Sequence, residues 1–308
     1  MYILRPLLVI LFIYLLAPDS VAVAAPKTFS QAKQLMPAVY RDFAETFYCG
    51  CSITWTGGPS GRPDLQSCGY TVRKQLVRAN RIEWEHVVAA HTFGQQRPCW
   101  RSGGRDNCTA NDPLFRAMEA DMHNLVPAVG EVNGDRSNFR FGVLPSTPYQ
   151  HGRCPVKIDF QQRAIEPRPE IRGDIARINF YMYDHYGLKL GRQQQQLFLA
   201  WHREDPVSKW ELMRNDRIAR AMGRSNPYVT GLKQWHLSKG GVAATPEVAA
   251  AVKKQSVPTS IRGNRNSKVY HLPVGCPSYN AMKSSNIVEF DSEQQAVDAG
   301  YRKAGNCT

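Results

Sequence analysis

Hydrophobic residues recur at helical spacing along much of the first two-thirds of the chain. The first such pattern covers 27–47 and begins at Thr28 or Ser30, either of which suits the N-cap position. Similar patterns predict further helices over 118–132, 172–186, 193–203 and 206–222. Strand patterns are shorter: the glycine- and cysteine-rich stretch 49–80 indicates short strands or loops, and the apolar stretch 82–90 indicates a buried strand. The predicted fold class is therefore α+β, with helices dominating.

The composition of the chain changes after the last of these helices. Segment 236–260 is rich in glycine and alanine and ends near a proline, which is typical of a linker. Segment 261–308 then contains a strand-like run at 269–272, a Cys-Pro turn and an amphipathic helix over 292–301. We therefore divide the mature chain into a main domain (26–235), a linker and a small C-terminal α/β module.

The N-terminus has the organisation of a secretory signal peptide. Arg5 precedes an apolar run over 6–17, and small residues follow up to Ala24 and Ala25, where we expect cleavage. The run is shorter than the roughly 20 residues that a membrane-spanning helix needs. Residues 1–25 are therefore predicted to be removed, which leaves an exported protein, periplasmic or secreted, without a membrane segment.

Eight cysteines remain after this cleavage. An even number of cysteines in an exported protein indicates disulfides, and none of these has the C-x-x-C spacing of a zinc or redox site. From their positions we predict two pairs: Cys99 with Cys108, and Cys276 with Cys307.

The other four cysteines lie in the first half of the chain. Cys49 and Cys51 are too close to pair with each other comfortably, so each is expected to bond one of the remaining two. Those two are Cys68 and Cys154, and the sequence does not fix which partner each of them takes.

The charge balance narrows the choice of partner. The chain has 39 Lys+Arg against 26 Asp+Glu, a net charge of +13. An excess of this size favours a polyanion such as nucleic acid, an acidic polysaccharide or an anionic surface, although a basic exported protein without such a role has the same balance. Apolar residues make up 43% of the chain, which excludes wholesale disorder.

One short apolar segment carries two carboxylates and an imidazole: Glu83, Glu85 and His86. A metal-dependent phosphodiesterase would need such groups, because His86 can deprotonate water at neutral pH and Glu85 can offer an oxygen to a hard cation. Two plainer interpretations remain, His86 as a core residue and Glu83 as the ion-pair partner of Arg81. Neighbours in a regular strand also point to opposite faces, so Glu85 and His86 share a site only if the strand is irregular or a phosphate lies between them.

A second polar cluster lies further along the chain. Asn133 would offer an amide oxygen to a metal if it lies on the helix predicted just before it. We expect His123 and Asn124 to hold loops together instead, since buried polar side chains commonly do so. Between the two clusters, 103–106 is predicted to be a flexible loop that carries Arg105.

Four motifs are long enough to be specific, and they are Arg81-Ile-Glu-Trp-Glu-His-Val-Val, Cys99-Trp with Gly-Gly-Arg105, Asp121-Met-His-Asn-Leu-Val-Pro and Gly130-Glu-Val-Asn-Gly-Asp-Arg-Ser-Asn. Together they resemble the bacterial endonuclease I family of periplasmic and secreted nucleases, from about Phe29 to Trp235. The resemblance implies a ββα-metal nuclease core surrounded by helices, one divalent cation, and cleavage of DNA and RNA with little sequence preference.

The resemblance also implies roles, position by position. His86 would be the general base, and Glu85 and Asn133 the direct metal ligands. Arg105 would steady the scissile phosphate, and Glu83 would support catalysis near the metal. The implied cofactor is Mg²⁺, with Mn²⁺ or Ca²⁺ as substitutes, and we expect a monomer.

The C-terminal module resembles a different unit. Gly263-Asn-Arg-Asn-Ser-Lys-Val-Tyr-His-Leu-Pro and Cys276-Pro-Ser-Tyr are similar to the small zinc module of Ada-type DNA-repair proteins. That module uses four cysteines, and only Cys276 and Cys307 stand here, so we expect a disulfide and no zinc. Its basic residues suggest auxiliary contact with nucleic acid, and an accessory module without that role fits equally well.

The sequence thus predicts an exported, metal-dependent, sequence-nonspecific endonuclease. The alternative is a catalytically silent extracellular nucleic-acid-binding protein, although a pure binder has no use for a general base beside a metal ligand. A metal hydrolase of neutral glycans fits the net charge of +13 less well. One departure from the family pattern is Gly134, which stands where some relatives carry a lysine, so one phosphate contact is expected to be missing.

Overall fold

The computed structural model describes residues 25–237, 261–272, 276, 278–279, 281–290 and 293–307. The predicted signal peptide lies outside the described residues except for Ala25, and the predicted linker lies outside them beyond Leu237. The signal peptide and the linker therefore stay predictions.

Helix α1 (Phe29–Val39) opens the main domain. The Thr28 side chain accepts a hydrogen bond from the backbone N–H of Gln31 (3.2 Å), so Thr28 is the N-cap. The helix is shorter than the predicted 27–47, because the chain turns at Tyr40 and the backbone N–H of Phe47 donates to a distant strand carbonyl, that of Pro127 (2.7 Å).

Short elements connect α1 to the interior. Strands β1 (Ile53–Gly57) and β2 (Ser60–Pro63) pair antiparallel, as the 49–80 pattern indicates, and helix α2 (Leu76–Ala79) follows. Strand β3 (Ile82–His86) is the predicted buried strand, although it stops short of residue 90. Four short helices come next: α3 (Ala90–Gly94), α4 (Pro98–Arg101), α5 (Gly104–Asn111) and α6 (Pro113–Glu119).

The prediction of a single helix over 118–132 is wrong. Helix α6 ends at Glu119, Met122–Asn124 form a 3₁₀ turn, and strand β4 (Leu125–Val129) and helix α7 (Gly130–Arg136) follow. Strand β4 is buried throughout and pairs antiparallel with β3 along its length. A short, fully buried apolar run has no periodicity that separates strand from helix, so its pairing partner decided its structure. Strands β3 and β4 with helix α7 form a ββα unit.

A third sheet and three long helices complete the main domain. Strands β5 (Arg140–Phe141), β6 (Lys157–Asp159) and β7 (Ala164–Glu166) lie in the order β5-β7-β6. The three remaining predicted helices are confirmed within a few residues as α8 (Arg172–His185), α9 (Arg192–Glu204) and α10 (Lys209–Met222). Helix α8 is buried along most of its length and packs against α9.

The described part of the C-terminal module has its own sheet and core. Its elements are β8 (Ile261–Asn264), β9 (Val269–His271), β10 (Ile287–Phe290), α11 (Glu293–Asp298) and β11 (Arg302–Lys303). The strand order is β10-β8-β9-β11. The predicted strand and helix are confirmed, with a shorter helix than 292–301, and the fold class of the chain is α+β.

Candidate active site

A cleft of about 730 Å³ is lined by strand β3, helix α7 and residues from α1, α2 and α5. The cleft brings together all the site residues that the sequence singles out: Glu83, Glu85, His86, Arg105 and Asn133. Its wall also carries the cations Lys33, Arg78 and Arg136. Such a cleft suits an anionic ligand.

His86 is the last residue of β3 and is buried. Its Nε2 lies 2.9 Å from the backbone carbonyl oxygen of Glu119. A carbonyl can only accept a hydrogen bond, so Nε2 carries the proton and Nδ1 keeps a lone pair. The Phe29 ring lies 4.5 Å from the imidazole, and burial lowers the pKa of His86 to about 4. The imidazole is therefore neutral and can accept a proton at Nδ1.

Glu85 lies one residue earlier and is also buried. Its Oε1 accepts a hydrogen bond from the Tyr48 hydroxyl (3.2 Å) and forms an ion pair with the Arg136 guanidinium (2.7 Å). Both contacts fall on Oε1, and among the described residues no hydrogen bond to Oε2 is found. Burial raises the pKa of Glu85 to about 7 against the opposing effect of Arg136. The strand is regular through Glu85 and His86, yet both residues line the cleft.

Glu83 connects α2 to the first turns of α7. It accepts hydrogen bonds from Arg78 (2.5 Å), Arg81 (2.8 Å) and the Asn133 side-chain amide (2.8 Å). Burial raises the pKa of Glu83, but these hydrogen bonds outweigh it and the net pKa is lowered. The ion pair with Arg81, the plainer interpretation of Glu83, is thus present, and the supporting role of Glu83 stays a prediction. Because the Asn133 amide nitrogen is held by Glu83, its amide oxygen is the group that can ligate a metal.

The prediction of a flexible loop around Arg105 is wrong. Arg105 lies in the first turn of α5, and its Nε donates to Oε1 of Glu119 (2.7 Å). The Glu119 carboxylate also accepts from the Thr109 hydroxyl (2.9 Å). The Arg105 side chain is 47% exposed and lines the cleft, so a fixed guanidinium faces the cleft.

Two supporting side chains, Arg136 and Glu119, are not among the site residues predicted from the sequence. Buried Arg136 neutralises Glu85 and donates to the backbone carbonyls of His86 (2.9 Å) and Val87 (2.6 Å). Glu119 holds both His86 and Arg105. Arg136 lies within one of the family motifs. Only the fold shows that the Arg136 guanidinium is buried beside the Glu85 carboxylate.

The position after Asn133 shows why a glycine stands there. A Cβ at Gly134 would lie 2.0 Å from the Arg78 guanidinium. Gly134 therefore lets Arg78 pack against α7 and reach Glu83, and a cation lines this part of the cleft without a lysine at 134.

The polar residues around Asp121 hold the fold together, as expected for His123 and Asn124. The Asn124 side chain makes two hydrogen bonds with the backbone of Val88 (2.7 and 3.0 Å). His123 Nε2 lies 3.0 Å from the carbonyl oxygen of Arg224. Asp121 accepts from the Arg224 guanidinium (2.8 Å), and its pKa is lowered to about 2 because charge contacts outweigh burial.

The disulfides settle the open pairings. Cys49 bonds Cys154 and Cys51 bonds Cys68. The two pairs predicted from position are confirmed: Cys99–Cys108 and Cys276–Cys307. In the described part of the module, His271 lies within 4.8 Å of the Cys276 and Cys307 sulfurs, which are joined to each other.

The main domain matches known proteins along almost its whole length, and residues 28–232 match the Endonuclease I family. An extracellular deoxyribonuclease of Aeromonas hydrophila is 50% identical over 204 residues, which cover 66% of this chain and 89% of the relative. A periplasmic deoxyribonuclease of the same organism is 48% identical over 204 residues (66% and 85%). Endonuclease-1 of Buchnera aphidicola subsp. Baizongia pistaciae is 47% identical over 205 residues (66% and 83%). The stretch that builds the cleft is the stretch that these proteins share, and the chain belongs to the Endonuclease I family.

Proposed function

We propose that this protein is an exported endonuclease that hydrolyses phosphodiester bonds of DNA and RNA, without sequence preference, at a single divalent-metal site. One observation carries the proposal: a neutral imidazole, whose Nδ1 has no hydrogen-bond partner among the described residues, lies in one cleft with carboxylate and amide oxygens and a fixed guanidinium. Those are the groups that phosphodiester hydrolysis requires.

The oxygens in the cleft fit a hard divalent cation. Oε2 of Glu85 and the amide oxygen of Asn133 accept no hydrogen bond from the described residues. Mg²⁺ binds few protein oxygens and keeps several waters, so two such ligands suffice. A buried carboxyl with a raised pKa, such as Glu85, also gains from a nearby cation. When bound, Mg²⁺, or Mn²⁺ or Ca²⁺ in its place, would neutralise charge on the phosphate and acidify water.

The protein's own side chains do the rest of the chemistry. Nδ1 of His86 takes the proton of the attacking water, while the bond from Nε2 to the Glu119 carbonyl keeps the ring in place. Arg105 stabilises the negative charge that builds on the phosphate, and its bond to Glu119 holds the guanidinium ready. Glu83 positions Asn133 through the amide nitrogen.

The cations that line the cleft support the proposed absence of sequence preference. Lys33, Arg78 and Arg105 recognise phosphate, which is the same at every nucleotide of DNA or RNA. We propose that the enzyme acts as a monomer.

The disulfides support export of the protein. The four disulfides require an oxidising compartment, and relatives are named extracellular and periplasmic deoxyribonucleases. Among the described helices, none is long and apolar enough to cross a membrane. We place the mature protein in the periplasm or outside the cell.

The test is cleavage of supercoiled plasmid and of unstructured RNA, with Mg²⁺ and with EDTA. Nicking and then fragmentation of both substrates, only with metal, is the expected result. A catalytically silent binder would shift both nucleic acids on a gel and leave them intact in Mg²⁺, which would overturn the proposal.

A further inference from the structure

A second groove, of about 620 Å³, adjoins the active-site cleft. His91 and Asn138 line both, so the two depressions are continuous. The second groove is also lined by Arg140, Arg163 and amide side chains, and its described lining contains no carboxylate. It therefore continues the positive wall of the cleft away from His86.

The two arginines of this groove are uncompensated cations. Both are exposed, and within the described residues neither contacts a carboxylate. Arg163 donates instead to the Asn138 side-chain oxygen (2.6 Å) and lies over the Phe139 ring (4.8 Å). Its guanidinium is thus held by neutral partners and keeps its full charge for a ligand.

The backbone conformation at Arg163 places the two arginines side by side. Arg163 has a φ of +51°, in the left-handed region that non-glycine residues seldom adopt. Its carbonyl accepts from the backbone N–H of Arg140 (3.2 Å), so the turn before β7 sets both residues side by side. A costly conformation is retained where it brings two cations to one groove.

We propose that this groove, with Arg140 and Arg163, is a subsite for the nucleic-acid strand that extends from the scissile phosphate. The inference rests on the proposed function and adds where the substrate runs. Arginine guanidinium groups bind phosphate with two parallel hydrogen bonds, and a continuous groove lets one strand reach both sites. The subsite contributes to affinity for the strand and does not take part in the chemical step.

The test compares the Arg140→Gln/Arg163→Gln double variant with wild type on oligothymidylates from a dinucleotide to a twenty-nucleotide strand. The KM ratio of variant to wild type should grow with length to about tenfold while kcat holds, and the salt slope of binding should fall by roughly 1.5 units. Arg140→Lys/Arg163→Lys, which keeps the charges, should recover most of the affinity.

A matched control removes two exposed arginines elsewhere, Arg41→Gln/Arg220→Gln, whose side chains are 70% and 68% exposed. If the control raised KM as much as the groove variant, or if the KM ratio did not depend on length, the subsite would be refuted. Failure of wild type to cleave any of these substrates with metal would instead refute the proposed function.

Discussion

The backbone carbonyl oxygen of Glu119 lies 2.9 Å from Nε2 of His86. The carboxylate of the same residue holds Arg105 at 2.7 Å. One buried residue at the end of α6 thus orients both the proposed base and the proposed phosphate-binding cation. Mutation can remove the second contact but not the first, which separates the two effects experimentally.

His86→Ala should lower turnover sharply and spare DNA binding. A general base contributes roughly 10²–10⁴-fold in rate, whereas affinity comes from cationic side chains. The measurements are single-turnover cleavage in Mg²⁺ and a binding titration in EDTA. Exposed His236 provides a control, since His236→Ala should keep wild-type kinetics. Cleavage by His86→Ala at a rate within a few-fold of wild type would contradict the assignment of His86 as the general base.

Arg105→Ala should lower kcat by about 10²–10³-fold, because it removes a charged donor from the transition state. Glu119→Gln should have a smaller effect, since the neutral amide oxygen can still accept from Arg105 and the carbonyl bond to His86 is kept. Steady-state kinetics of both variants decide this. If Glu119→Gln remained folded and lowered kcat as much as Arg105→Ala does, Glu119 would have a more direct role in catalysis.

Removal of metal should stop cleavage without unfolding the protein, which the disulfides and core hold. Mg²⁺ or Mn²⁺ should restore activity after EDTA. Asn133→Ala should raise the Mg²⁺ concentration needed for half-maximal rate, because it removes a proposed ligand oxygen. His86→Ala is the contrast: it should lower kcat and leave that concentration unmoved. A metal-free wild type that still cut DNA at full rate would contradict the ligand roles.

Loss of Cys49–Cys154 should destabilise the protein more than loss of Cys99–Cys108. The two bonds span sequence separations of 105 and 9 residues. Loop-closure entropy then gives about 5 and about 2.5 kcal/mol of stabilisation. Urea unfolding of the two Cys→Ser double variants measures the difference. Equal losses would mean that chain entropy does not govern these disulfides.

Truncation after Leu237 should leave metal-dependent cleavage intact, because every proposed catalytic residue precedes it. Trp235 must stay, since it stacks on Phe180 (4.9 Å between ring centroids) and donates to Gln195 (3.2 Å). If Arg265 and Lys268 of the module touch phosphates, KM for DNA should rise at moderate salt.

Kinetics and a salt titration of the truncated chain decide the role of the module. Collapse of kcat in a truncated protein that circular dichroism reports as folded would place the module in the active site. If KM did not move at any salt, the module would have no role in substrate binding.

Periodicity and residue type predict the long helices of the main domain and the side chains that line the cleft. Helices α8, α9 and α10 follow from periodicity, which each segment carries within itself. The motifs that contain His86 and Asn133 name the groups of the cleft, because residue type decides which atoms can take a proton or bind a cation. Two of the disulfides also followed from spacing.

Features that depend on partners distant in the chain are set by the fold. Strand β4 is a strand because β3 lies beside it, and Cys49 pairs with Cys154 rather than Cys68 because the fold brings those two together. The Glu119 carbonyl and the Arg136 charge gain their roles only once α6 and α7 lie against β3. A hydrogen bond or ion pair depends on position in space, and residues far apart in the chain acquire that position only when the whole domain folds.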